Sequence, residues 1–162
     1  MLFVFLSFFG ESELPVLSFG VEIPFVHELG FTLHRMEGGE SELRYEARPE
    51  HMNSFAVTHG GASMTLLDVA MATAARSETP DFGVVTIEMK TSFMQPARGP
   101  LVARGRLIHR TISMAFTEGT VTDSEGRVCC HATGTFKYVR RKPAPAGAAE
   151  GSGAVEGALS TD

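Results

Sequence analysis

The sequence has no tryptophan, two tyrosines and two cysteines, and the cysteines, Cys129 and Cys130, are neighbours. Neighbouring residues of a strand point to opposite faces, so these two are not expected to form a disulfide. One packed thiol and one half-exposed thiol is the expectation, in a reducing compartment such as the cytoplasm. No Cys/His set has metal-ligand spacing, so neither a metal site nor another cofactor is expected. A basic excess is missing too: 14 Lys and Arg stand against 19 Asp and Glu, for a net charge of -5. That balance argues against a nucleic-acid partner but leaves room for a local basic patch facing phosphates. There is also no apolar run of bilayer length, so no membrane partner is expected. The nearest to one, residues 2–6 with Phe8 and Phe9, is followed by Glu11 and Glu13 and lacks the Lys/Arg of a leader. It reads as a surface that packs on the domain or an interface, as a loose tail, or as a start assigned too early.

What is present fits one domain, with 43% hydrophobic residues in 162. Residues 1–20 read as an apolar extension and 21–141 as the folded domain. Residues 142–162 are dominated by Pro, Ala, Gly, Ser and Glu, with Val155 and Leu159 as the larger apolar residues. Such a segment buries too little surface to offset its ordering entropy and is expected to be disordered. Within the domain, Pro24 and Gly30 bracket a short helix. Alternation over 31–36 and 41–47 around Gly38-Gly39 predicts a hairpin. A helix is expected from about 60 to 76, and strands over 84–94, 101–110, 115–123 and 127–139, the last two joined by Ser124-Glu125-Gly126. A hairpin, one long helix, then further antiparallel strands is an α+β arrangement.

The chemistry concentrates around the long helix. His59-Gly60-Gly61 opens it, and Asp68 follows nine residues after the histidine, between Leu67 and Val69. Met64, Leu67, Met71 and Ala74/Ala75 recur at helical spacing and are expected to form one apolar face. Asp is a poor mid-helix residue, and an unpaired buried carboxylate is costly, so a helix that keeps one aims it at something. A structural interface contact is the competing reading, because ion pairs also hold carboxylates. The glycines let backbone N–H groups approach a ligand closely at the helix N-terminus, or simply allow tight packing.

Asn53 with five residues between it and His59, then His59-Gly60-Gly61 and Leu67-Asp68 with Ala70, followed by the strand Val85-Thr86-Ile87-Glu88 and the hairpin through Gly126 to Phe136, resembles the PaaI-like acyl-CoA thioesterases of the hotdog superfamily. The resemblance spans about residues 22–140. It implies a hotdog fold, one long helix wrapped by a curved antiparallel sheet, in homodimers that often pair into homotetramers with active sites at the subunit interface. It implies hydrolysis of an acyl- or aryl-acyl-CoA. The oxyanion contact falls on Gly60, the carboxylate on Asp68, an orienting amide on Asn53 and a hydroxyl on Thr86. His59 falls to shaping the loop beside Gly61.

A thioesterase needs an anchor for the carbonyl oxygen and a group that attacks or activates water. The Gly60 N–H and the Asp68 carboxylate suit these two tasks, with Asp68 open as nucleophile or general base. The resemblance implies that Asp68 of one subunit acts on a thioester held by Gly60 of the other; the two lie eight residues apart, about 12 Å along a helix axis, which supports that split. Asn53 also suits an ordinary turn, and Thr86 an ordinary strand position. Phe55, Met64, Leu67, Met71 and Phe93 suit either an acyl pocket or the core. Arg98, His109, Arg110, Lys137, Arg140, Arg141 and Lys142 are candidates for CoA phosphates. The turn at Arg110-Thr111-Ile112-Ser113 lacks the glycine common in relatives, so nucleotide contacts there are not carried over. The alternatives are a thioesterase acting on an acyl carrier protein and a non-catalytic acyl-CoA-binding hotdog protein.

Overall fold

The computed structural model describes residues 15–140. Most of the expected apolar extension, and the expected disordered tail with Arg141 and Lys142, lie outside the described residues. Helix α1 (Pro24–Leu29) starts on its proline and stops at Gly30, whose φ of 79° is the left-handed cap that glycine adopts without penalty. Strands β1 (Thr32–Glu37) and β2 (Glu40–Glu46) form the expected hairpin. Its two-residue turn, Gly38-Gly39, has both φ values positive, as a turn matched to strand twist requires. After a 3-10 turn (Pro49–His51) comes the long helix α2 (Gly60–Ser77), then β3 (Phe82–Phe93), β4 (Pro100–Arg110), β5 (Met114–Asp123) and β6 (Val128–Arg140).

The strands make one six-stranded antiparallel sheet in the order β1-β2-β4-β5-β6-β3. This is the α+β hotdog arrangement: α2 packs against one face of the sheet, and its core side is Ser63, Leu66, Leu67, Ala70, Met71 and Ala74. Leu66, Leu67 and Met71 are fully buried there, each worth roughly 1.5–3 kcal/mol of transfer free energy. The helix comes so close to β4 that a Cβ on Gly105 would sit 2.4 Å from the Ala70 carbonyl oxygen. That oxygen also accepts a hydrogen bond from the Ser41 hydroxyl at 2.7 Å. A side chain at 105 would push the helix off the sheet.

Two expectations are corrected. Met64 does not join the face that Leu67 and Met71 present to the sheet; it is partly exposed and lies on the opposite side with Asp68. The helix carries two apolar stripes, and spacing alone merges them. Cys129 and Cys130 are both buried rather than split between faces. The register steps from Val121↔Cys130 to Thr122↔Val128, so Cys129 is the extra residue of a bulge and escapes the alternation of a regular strand.

Strand β3 is an edge strand, paired among the described residues with β6 alone. Its exposed residues include large apolar ones, Val85 at 46% and Ile87 at 56%.

Candidate active site

The loop before α2 is built to hold its shape. Met52 and Thr58 bridge its ends, and the Asn53 side chain fills the space between. Asn53 Oδ1 accepts the backbone N–H groups of Phe55 at 2.9 Å and Val57 at 3.3 Å. With its oxygen engaged this way, the amide can offer only N–H donors outward. The turn reading of Asn53 is therefore realised, and it orients the donor as well.

The first turn of α2 has free backbone donors by construction. His59 is the N-cap, and its Nδ1 accepts the Gly61 N–H at 2.9 Å. The Ser63 N–H bonds to the His59 carbonyl. The Gly60 N–H is left without a protein acceptor among the described residues. It lines a hollow of about 360 Å³ together with Asn53, Thr58, Ser63 and Phe93. The Phe93 ring closes one side, 3.4 Å from where a Gly60 Cβ would stand. Thr58 Oγ1 is buried there without a partner among the described residues.

Asp68 faces elsewhere. It opens onto a trough of about 810 Å³ that follows α2, with Gly61, Met64 and Thr65 toward one end and Ala72, Thr73 and Arg76 toward the other. Thr86 of β3 donates its hydroxyl to Asp68 Oδ1 at 2.7 Å. Burial in this apolar setting raises the Asp68 pKa, and the Thr86 hydroxyl offsets part of that rise. The result is a carboxylate more basic than usual, fixed at one oxygen.

The site residues expected from sequence thus fall into two groups. Asp68, Thr86, Met64 and Gly61 share the trough; Asn53, Gly60 and Phe93 share the hollow. The helix backbone separates them. His59 spends its ring on the cap. Phe55 stands 80% exposed at the loop tip, and Arg110 is exposed at the end of β4; neither lines the two cavities. The sequence reading missed Val21, Ile23, Phe25 and Val26, which form one wall of the trough. Their only local signal is the apolar spacing 21, 23, 25 across Pro24. Among the described residues, no group of three or more His, Cys, Asp or Glu side chains is placed to hold a metal.

A long helix packed on an antiparallel sheet is the hotdog arrangement, and this one carries an N–H unpaired among the described residues at its start and a carboxylate of raised basicity on its side. The comparisons agree. Residues 55–130 match the family model described as the thioesterase superfamily. A Halobacterium salinarum protein, named as a candidate esterase, is 30% identical over 124 residues, which cover 69% of this chain and 82% of the relative. An Asn-to-Asp variant of the phenylacetic acid degradation protein PaaI from Thermus thermophilus is 25% identical; the match has a TM-score of 0.66 and covers 72% of this chain and all (100%) of that one. Escherichia coli PaaI, at 18% identity with a TM-score of 0.69 over 73% of this chain and 86% of its own, shares the fold. The chain belongs to the hotdog-fold thioesterase superfamily.

Proposed function

We propose that the protein is an acyl-CoA thioesterase that hydrolyses an acyl- or aryl-acyl-CoA to the free acid and CoA, working as a homodimer or homotetramer. The observation that carries this reading is the Asp68 carboxylate, raised in basicity and pinned by Thr86, on the same helix as an unpaired Gly60 N–H. Eight residues, about 12 Å, separate them, and the helix stands between. A second copy paired along β3 would bring Asp68 of the partner subunit to the hollow that holds Gly60 and Asn53. The free edge of β3 and its exposed Val85 and Ile87 support that pairing.

In this arrangement the Gly60 N–H, with the Asn53 amide beside it, binds the thioester oxygen as it gains charge, helped by the helix N-terminus. As general base, Asp68 takes a proton from water while the water oxygen bonds to the carbonyl carbon; the C–S bond then breaks and the thiolate takes the proton. As nucleophile, Asp68 bonds to that carbon itself, expels the thiolate, and water opens the resulting anhydride. Of the basic candidates for CoA phosphates, Arg98, His109, Arg110, Lys137 and Arg140 are exposed among the described residues. The PaaI relative's name refers to phenylacetic acid degradation, which supports an aryl-acyl thioester among the substrates. Two free adjacent cysteines support a cytoplasmic setting.

The test is free-thiol release from phenylacetyl-, benzoyl- and aliphatic acyl-CoAs, with wild type beside Asp68→Asn. Loss of an acid–base group predicts a fall in turnover of about 10²- to 10⁴-fold in a variant that still folds. Acyl-CoA binding without turnover by wild type would move the protein to the binding class. Turnover only with thioesters of acyl carrier protein would change the substrate class.

A further inference from the structure

The loop that carries the Asn53 amide leaves the body of the domain at His51 and returns at His59. The two ends are joined there: the His59 N–H donates to the His51 carbonyl at 2.9 Å. Asn53 lies two residues past one end and Gly60 one residue past the other, so both proposed oxyanion donors hang from this closure. The His51 side chain anchors it. Its Nε2 lies 3.2 Å from Arg48 Nη2. A guanidinium can only donate, so Nε2 accepts and the neutral ring carries its proton on Nδ1. Nδ1–H then donates to the Tyr45 hydroxyl oxygen, 3.0 Å away. Both partners are themselves held. Tyr45 is buried on β2 and packs edge-on against Phe31, with ring centroids 4.8 Å apart. Arg48 donates to the Glu28 carbonyl of α1 at 2.6 Å and pairs with Glu50 at 2.9 Å. All of these contacts form within one chain.

We propose that His51 is a positioning residue for the hydrolysis: its imidazole, clamped between Tyr45 and Arg48, holds the closure from which Asn53 and Gly60 reach the thioester oxygen. This rests on the thioesterase reading above and adds to it a residue that touches no substrate. Oxyanion contacts work because their donors stand in place before charge develops. The bonds from Phe55 and Val57 to Asn53 Oδ1 shape the loop internally but do not tie it to the sheet. Its returning side is held by the Thr58 N–H, which donates to the Ala97 carbonyl at 3.0 Å. Its departing side is held through the imidazole, by way of Tyr45 on β2. Without the imidazole that side can shift, and a misplacement of about 1 Å costs on the order of 10²-fold in rate. The donors act on the transition state, so the loss falls on kcat rather than on KM.

The experiment measures kcat and KM, on an acyl-CoA that wild type turns over, for His51→Phe, Tyr45→Phe, the double variant and His51→Asn. Thermal unfolding establishes that each is folded at the assay temperature, and NMR follows amide exchange at His59. His51→Phe keeps a planar ring without its hydrogen bonds and should lower kcat on the order of 10²-fold, with KM close to wild type. Tyr45→Phe should act in the same direction, and the double variant should be no worse than His51→Phe alone, because the two residues act through one bond. His51→Asn keeps an N–H near the place of Nδ1 and should recover most of kcat. The His59 amide should exchange faster in His51→Phe and Tyr45→Phe, while the amides of Leu66 and Leu67 in mid-helix keep their protection. Unchanged kcat in folded His51→Phe, losses that multiply in the double variant, or no recovery in His51→Asn overturns the positioning role while thioesterase activity stands. Unchanged exchange at His59 overturns the clamp whatever the activity. No turnover of any acyl-CoA by wild type would instead remove the thioesterase reading, and the positioning role with it, leaving the exchange rates to decide the clamp.

Discussion

The unpaired Gly60 N–H invites a substitution that removes the donor and puts the proline ring's Cδ in its place. Gly60 is the first residue of α2, where proline is favoured because its missing donor has no helical acceptor. The residue before it already has the geometry that proline imposes: His59 sits at φ -58° and ψ 137°. Gly60→Pro should therefore fold, and should gain about 0.4–1 kcal/mol because the unfolded chain loses freedom. Its Cβ meets only the edge of the Phe93 ring, at 3.4 Å, an ordinary contact. Activity should move the other way. Removing one oxyanion donor costs about 10²- to 10³-fold in kcat, or roughly 2.7–4 kcal/mol. Gly60→Ala places its Cβ in the same spot but keeps the N–H, and should lose far less. The assay pairs thiol release with thermal unfolding of the three proteins. A Gly60→Pro protein that melts at or above the wild-type temperature yet turns over at the wild-type rate would refute the oxyanion assignment outright.

Three further outcomes are expected. Burial raises the Asp68 pKa in the folded protein, so the folded state holds that proton more tightly than the unfolded chain; stability is then greatest below the ordinary Asp range and declines as pH rises through the folded value. Asp68→Asn should melt higher than wild type at pH 7, with the gain vanishing in acid, and the acid limb of wild-type activity should lie above the usual carboxylate range; a lower melting point for the variant at pH 7 would contradict this. Gly105→Ala should cost about 3 kcal/mol or more in urea unfolding, because the new methyl meets the Ala70 backbone carbonyl rather than a side chain that can turn away; a cost under about 1 kcal/mol would mean that the helix is less tightly seated. Burial acts to raise the Asp123 pKa, but the Arg127 guanidinium and the backbone N–H groups of Arg127 and Glu125 outweigh it and hold the carboxyl below its usual range. Its contribution is present above the unfolded value and is lost as pH falls through the folded one, so Asp123→Ala should lower the melting temperature at pH 7 and the difference should shrink in acid.

The element order and the fold were legible because each segment carries its own local signal. Gly38-Gly39 marks a turn, Pro24 and Gly30 bracket α1, and the long apolar period marks α2. Where longer-range structure decides, the sequence reading merged or missed things. Met64 and Leu67 share a helical period but face different surroundings, and only the position of the sheet tells them apart. The burial of Cys129 depends on an extra residue relative to β5, which no stretch of β6 announces. The wall made by Val21, Ile23 and Phe25 belongs to the trough because Arg76 reaches back 57 positions to Phe19. Asn53, Gly60, Asp68 and Thr86 stood out in the sequence, but their division into two cavities separated by a helix did not.

The placement of β3 also bears on how the chain is made. It follows α2 in sequence but joins the sheet beside β6, where Phe93 pairs with Cys130 and Phe82 with Arg140. The nearest partner of β3 is thus 37 residues further on, about 2–7 s of synthesis at ~5–20 residues per second. Throughout that time both edges of β3 are open and its apolar side chains have no sheet to lie in. The last of the described strands to emerge is the one that seats it, so a ribosome stalled or a message cut before β6 releases a chain whose β3 is bare. β6 is thus the segment whose arrival gives β3 its neighbour in the sheet.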